Sequence, residues 1–260
     1  MRKPIVGISY KTYINSIQKA CTLARRLVDL TGKEKAVEQV IFPSIGTLYP
    51  VSQILQNSRI ALGAQNIAPE KNGPFTGELS IESVIEMGGK FVEIGHAERK
   101  AIFHETLEMI NKKTRLTLDL GLLPFLCIGE EEKQNNAGSL YKILQSQILS
   151  SLKNIENGLV HRIVFAYEPV WAIGKSAAAE PEYVHSAHEI IRQIIKNLYG
   201  SEASDRVRII YGGSVSKDNV LAIVKNENVD GVFIGRFGHE PDNYKEMVDT
   251  VKKIKAVENR

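Results

Sequence analysis

Three side chains with acid–base or electrostatic uses stand at the ends of short apolar runs: Lys11 after Ile5–Ser9, His96 after Phe91–Gly95, and Glu168 next to last in Arg162–Pro169. A lysine supplies a fixed positive charge, a histidine gives or takes a proton near neutral pH, and a carboxylate can act as a base. Two glycine-rich turns, Tyr211-Gly-Gly-Ser-Val215 and Gly235-Arg-Phe-Gly238, follow later runs. Turns of this kind that lead into helix N-termini present bare N–H groups, which suits a phosphate. Other reactive types read as structural. His185 and His188 have the i, i+3 spacing of a metal pair but no third ligand, so a solvated helix face is expected. Glu130-Glu-Glu132 reads as a solvated loop, and Cys127, inside Leu123-Pro-Phe-Leu-Cys-Ile128, as a small buried hydrophobe.

These groups need a scaffold that brings them together. Eight apolar runs recur: Ile5–Ser9, Val40–Pro43, Ile60–Gln65, Phe91–Gly95, Leu122–Gly129, Arg162–Pro169, Val207–Gly212 and Gly231–Gly235. They are continuous instead of alternating, as strands covered on both faces are. Segments with helical spacing lie between them. Ile17, Cys21, Ala24, Leu27 and Val28 mark one face, and Leu107, Ile110, Thr114 and Leu118 another. Ile143, Gln147, Leu149, Leu152 and Ile155 loosely trace a third. Pro181 opens a helix carrying Val184, His188, Ile191 and Ile195, and Pro241 one carrying Tyr244, Val248, Val251 and Ile254.

Alternating strands and helices imply a parallel sheet, and no linker or composition shift divides residues 1–260, so one domain is expected. The first strand leads into Ser9-Tyr-Lys11 and not into a Gly-x-Gly-x-x-Gly turn. Eight units without that turn favour a closed α/β barrel, (β/α)8, whose active site lies at the C-terminal ends of the strands.

Composition fits such a domain. Lys+Arg number 33 against 30 Asp+Glu, a formal net charge of +3, and the basic residues are scattered, so nucleic acid is not an expected partner. No apolar stretch approaches the roughly 18 residues of a membrane helix. The apolar run in Met1-Arg-Lys-Pro-Ile-Val-Gly7 is too short for a signal peptide. With two cysteines far apart, a reduced, cytoplasmic, soluble protein is expected.

Six segments in order carry a more specific message: Ala64-Gln-Asn66, Phe75-Thr-Gly-Glu78, Ile94-Gly-His-Ala-Glu-Arg99, Cys127-Ile-Gly-Glu130, Ala166-Tyr-Glu-Pro-Val-Trp-Ala-Ile-Gly174 and Tyr211-Gly-Gly-Ser-Val215. Over nearly its whole length the chain resembles the triose-phosphate isomerase family. The resemblance implies proton transfer through an enediolate, with no cofactor and no metal. It implies that Glu168 is the base, that His96 is a neutral electrophile moving protons between two oxygens, and that Lys11 places positive charge beside the enediolate. Glu98 matches the carboxylate near that lysine, and Gly174, Ser214 and Gly235 match positions that hold the substrate phosphate. Pro169–Gly174 matches a lid over the substrate, and the loop from Asn66 to Glu78 an arm inserted into a second copy, so a homodimer is implied.

Four departures from the family pattern stand out. Ser9-Tyr-Lys11 replaces Asn-Trp-Lys, Ala97 replaces a serine, Ala177-Ala-Ala179 replaces Lys-Thr-Ala at the lid hinge, and Arg236 replaces the second glycine after strand eight. A serine leaves more room than an asparagine, and an arginine can add a charge-assisted contact. Ser9 and Arg236 therefore open an alternative to a triose substrate: a four-carbon ketose phosphate such as an erythrulose phosphate, by the same chemistry. They resemble the side branch of the family that isomerises such substrates. A barrel that only binds a sugar phosphate would have no use for a positioned base.

Overall fold

The computed structural model describes residues 2–175 and 178–257, without the side chains of 256 and 257. Met1 of the N-terminal reading and Ala177 of the lid hinge lie outside the described residues. The strands are β1 (Ile5–Ser9), β2 (Glu38–Phe42), β3 (Ile60–Ala64), β4 (Phe91–Ile94), β5 (Leu123–Ile128), β6 (Val164–Tyr167), β7 (Arg208–Tyr211) and β8 (Gly231–Ile234). Each pairs in parallel with the next, and β8 pairs with β1 from Ile5↔Gly231 to Ile8↔Ile234, closing the barrel. The expected (β/α)8 barrel is the architecture found.

Helices α1 (Ile17–Thr31), α2 (Leu48–Leu55), α3 (Ile81–Glu86), α4 (Ala97–Phe103) and α5 (Leu107–Asp119) lie in the first half. They are followed by α6 (Ala137–Ser151), α7 (Pro181–Tyr199), α8 (Ser201–Arg206), α9 (Val220–Val224) and α10 (Pro241–Val257). Local chemistry sets several of the starts. Ser16, Thr106 and Asn136 accept from Lys19, Met109 and Ser139 N–H groups, satisfying donors that a first turn leaves open. Pro181 occupies the first turn of α7, where its missing N–H costs nothing.

The strands bury both faces, which explains why they do not alternate. Ile5, Val40, Phe42, Phe91, Phe125, Val164, Ala166, Ile210 and Phe233 fill the barrel, and a second, larger cluster lies between strands and helices. Phe125 stacks edge-on against Phe42 and Phe233 at 5.0 and 4.8 Å between centroids. Gly63 makes room for this layer, since a Cβ there would lie 2.3 Å from the Phe42 ring.

Most residues of the expected helical faces are buried. The marked residues of α7 are all buried, whereas Ile17 on α1 and Leu107 on α5 are exposed at the helix starts. On α6 the traced face is corrected. Leu140, Leu144 and Ile148 face the barrel, and Leu149 points outward, 46% exposed. Leu152 and Ile155, just past the helix, do pack into the core, and within the helix Leu and Ile on several sides give a weak period that does not single out one stripe.

Candidate active site

Lys11, His96 and Glu168 meet at the C-terminal rim of the barrel. They line a cavity of about 330 Å³ with Ser9, Glu98, Gly174, Ser214, Gly235 and Arg236. The structure thus brings every site residue read from the sequence to one opening.

His96 lies just beyond β4 and caps α4, its Nδ1 accepting the Glu98 N–H at 3.1 Å. An amide N–H can only donate, so the proton of the neutral ring sits on Nε2. That nitrogen is 3.4 Å from Glu168 Oε2. Burial first, and the Lys11 charge second, push the His96 pKa down to about 4. The N-terminal end of α4 acts in the same direction, because its partial positive charge disfavours an imidazolium. The ring is neutral at physiological pH.

Glu168 is 4% exposed, and burial raises its pKa to about 7 against the opposing Lys11 charge. Its position depends on missing side chains nearby. A Cβ at Gly212 would lie 2.5 Å from Glu168 Oε1, so β7 must carry glycine at its end for the carboxylate to fit. A carboxylate poised near neutrality beside a neutral imidazole N–H is suited to taking a proton from carbon while a carbonyl oxygen is polarised.

Lys11 Nζ lies 2.5 Å from Glu98 Oε1. Burial works against the ammonium, but the hydrogen bond and charge of Glu98, followed by Glu168 and Glu93, outweigh it and raise its pKa. Lys11 also holds a positive φ of 45°, a strained conformation for a side chain of this size. Gln65 Nε2 fixes it by donating to the Lys11 carbonyl at 3.1 Å and to that of Phe42 at 3.0 Å. Glu98 and Arg99 do not pair with each other: Arg99 instead binds Glu105 at 2.6 Å. Glu105 in turn holds the fully buried Lys113, which also donates to Asn66.

Pro169–Gly174, the segment expected to act as a lid, and Ala179 beyond it are held at several points. Trp171 Nε1 donates to Glu130 Oε1 at 2.8 Å, Ala179 N–H to the Tyr211 hydroxyl at 3.0 Å, and the Ser214 hydroxyl to Ala172 O at 2.8 Å. Glu130 is a correction to the sequence reading. It is fully buried and accepts from Tyr167, Trp171 and Tyr183, while Glu131 and Glu132 are exposed as expected. Its place directly after a strand and Gly129 was the available signal.

Ser9 is 3% exposed, and its Oγ accepts the Lys11 N–H at 3.3 Å. The Arg236 guanidinium lies 5.6 Å from the centre of the Tyr13 ring. His185 and His188 form no metal cluster. Each ring reaches a backbone carbonyl of the β7–β8 connection, and no group of metal-binding side chains occurs among the described residues. Far from a solvated face, His188 is fully buried. Among these residues, too, no helix is long and apolar enough to cross a membrane. Sequence reasoning passed over Glu93, a buried carboxyl on β4 that lines an adjoining cavity shared with Ser9, Lys11 and His96.

Comparison with known proteins points the same way. Residues 4–251 match the family described as Triosephosphate isomerase. The chain is 46% identical over 256 residues to "Probable triosephosphate isomerase 2" of Listeria monocytogenes serotype 4b, covering 98% of this chain and all of that one. It is 37% identical to the triosephosphate isomerase of Carboxydothermus hydrogenoformans, covering 90% and 93% of the two chains. The corresponding protein of Dictyoglomus thermophilum is 35% identical over 95% of this chain and 99% of its own.

Proposed function

Since the chain belongs to the triosephosphate isomerase family, we propose that its barrel site interconverts dihydroxyacetone phosphate and glyceraldehyde 3-phosphate. The observation that carries this is the pairing of a neutral His96 Nε2–H with a buried Glu168 carboxylate, 3.4 Å apart, at the mouth of the barrel. Glu168 takes a proton from the carbon beside the carbonyl as Nε2–H donates to the carbonyl oxygen. Lys11 offsets the negative charge of the enediolate. Glu168 then returns a proton to the neighbouring carbon, His96 moves a proton between the two oxygens, and no atoms or electrons are gained or lost. Gly174, Ser214 and Gly235 hold the phosphate, Glu98 orients Lys11, and the lid keeps water from the enediolate.

The assay is direct. Purified protein should convert glyceraldehyde 3-phosphate to the ketose in a dehydrogenase-coupled reaction and place solvent deuterium on carbon in D₂O. Absence of turnover would remove this function.

Ser9 and Arg236 favour a second substrate, a four-carbon ketose phosphate, because both line the same cavity and change its room and charge. We read residues 1–260 as one barrel domain of a cytoplasmic homodimer, with Asn66–Glu78 as the exchanged arm. A triose-phosphate isomerase of this kind serves glycolysis and gluconeogenesis.

A further inference from the structure

Glu93 is an anomaly in the barrel interior. It sits two residues after Phe91, so the two side chains share the inward face of β4, and it aligns with Phe125 on β5. Its apolar neighbours in the interior are Phe, Ile, Val, Ala and Cys, and the other carboxyl on an inward strand face, Glu38, is neutralised by Arg208. Glu93 is only 4% exposed, and its Oε2 has no hydrogen-bond partner among the described residues. An unpaired buried carboxyl opposes folding and contributes nothing to packing that a leucine would not. Its presence calls for a partner that arrives from outside.

The two adjoining cavities give the site a direction. Gly174, Ser214 and Gly235 line the first and not the second, Glu93 lines the second and not the first, and Ser9, Lys11 and His96 line both. A substrate anchored by its phosphate at the glycine turns passes the proton-transfer groups and points its other end toward Glu93. Burial first, and the Glu168 charge second, hold the Glu93 carboxyl well above the ordinary range. That direction favours the protonated carboxyl, which has one O–H to donate and a carbonyl oxygen to accept. That combination matches an alcohol. Ser9, short and tied back to the Lys11 N–H, leaves the approach open.

We propose that Glu93 is a specificity residue whose carboxyl binds a hydroxyl on a substrate carbon beyond the two that exchange the proton, so that the site accepts four-carbon ketose phosphates. The proposal rests on the isomerase reading of the site and names the group that selects among its substrates.

The test is steady-state kinetics of the wild type, Glu93→Gln and Glu93→Leu on glyceraldehyde 3-phosphate and on erythrulose 4-phosphate. Glutamine keeps a donor and an acceptor, so the four-carbon to three-carbon ratio of kcat/KM should stay within about 3-fold. Leucine keeps the volume and removes both, so the ratio should fall about 10-fold or more, mainly through KM. Should Glu93→Leu not fold, Glu93→Asp retracts the carboxyl by a methylene and should lower the same ratio. An unchanged ratio in the Leu or Asp variant overturns the role of Glu93. So does a wild type that turns over the triose but not the tetrulose, a result that leaves the isomerase reading standing. Failure of the wild type on both substrates overturns that reading instead.

Discussion

Glu168 must be ionised to take a proton, and burial places its pKa at about 7. The kcat/KM of the free enzyme should therefore fall tenfold per pH unit below about pH 7, with no second limb from His96 until pH approaches 4. A rate–pH profile flat down to pH 5 would contradict this assignment. Glu168→Asp withdraws the base by one methylene and should lower kcat about 100-fold or more while a phosphate ligand still binds, measured by turnover and by titration. The same raised pKa works against folding. Near pH 4 the folded and unfolded chains both hold the proton. Between about 4.5 and 7 the unfolded chain releases it first, so stability falls as pH rises and levels off above that window. From 4.5 to about 7 the loss is on the order of 3 kcal/mol. Glu168→Gln should accordingly melt higher than the wild type at pH 8, with the gap closing toward pH 4.5. At this scale the sequence was informative about position, because Lys11, His96 and Glu168 stand past strand ends and line one cavity. It was silent at Glu93, because in a strand buried on both faces nothing in the pattern tells an inward residue from an outward one.

The elements divide the labour between fixed strands and a fastened lid. Gly174 ends the segment proposed as a lid, and Ser214 and Gly235 follow β7 and β8, so the turns proposed to hold phosphate and that segment line one cavity. Ser214 ties them together, donating to Ala172 O and accepting the Lys175 N–H. Binding energy from the phosphate is thus available to seat the lid and orient the reacting carbons. Glyceraldehyde without its phosphate should show kcat/KM lower by about 1,000-fold or more, measured at matched pH. Trp171 is the single tryptophan of the chain and is bonded to Glu130, so its fluorescence should change when a phosphate-bearing inhibitor binds and stay constant with the unphosphorylated analogue. Equal efficiency on both substrates would detach the lid from the phosphate. The strands were legible to within a residue or two because continuous apolar runs are long and bounded. The α6 face was not, because its Leu and Ile residues offer two competing stripes, and the burial of Glu130 depended on three donors brought in from β6, the lid and α7.

At the scale of the molecule, the barrel fills its own core yet leaves an apolar region open beside the site. Ile45, Tyr49, Ile102 and Phe103 are 61–64% exposed, and Ile45, Ile102 and Phe103 line the second cavity beside Lys11 and Glu98. Large apolar side chains gathered around a cavity mark a contact surface more often than isolated ones do. The Asn66–Glu78 loop stands next to this cavity, with Asn66 bound to Glu78 at 2.7 Å and to Lys113 at 2.8 Å. A two-fold pairing that seats each arm in the other copy's cavity uses one patch twice, as a closed dimer requires. The same cavity reaches Lys11, whose strained backbone needs its surroundings held in place, so a dimer formed in this way would couple assembly to activity. Ile102→Asp puts a charge into the expected contact while remaining solvent-exposed within the folded barrel. It should convert a dimer to a monomer in sedimentation velocity and lower kcat about tenfold or more, with melting still cooperative. A wild type that sediments as a monomer at micromolar concentration while fully active would remove both the dimer and the coupling.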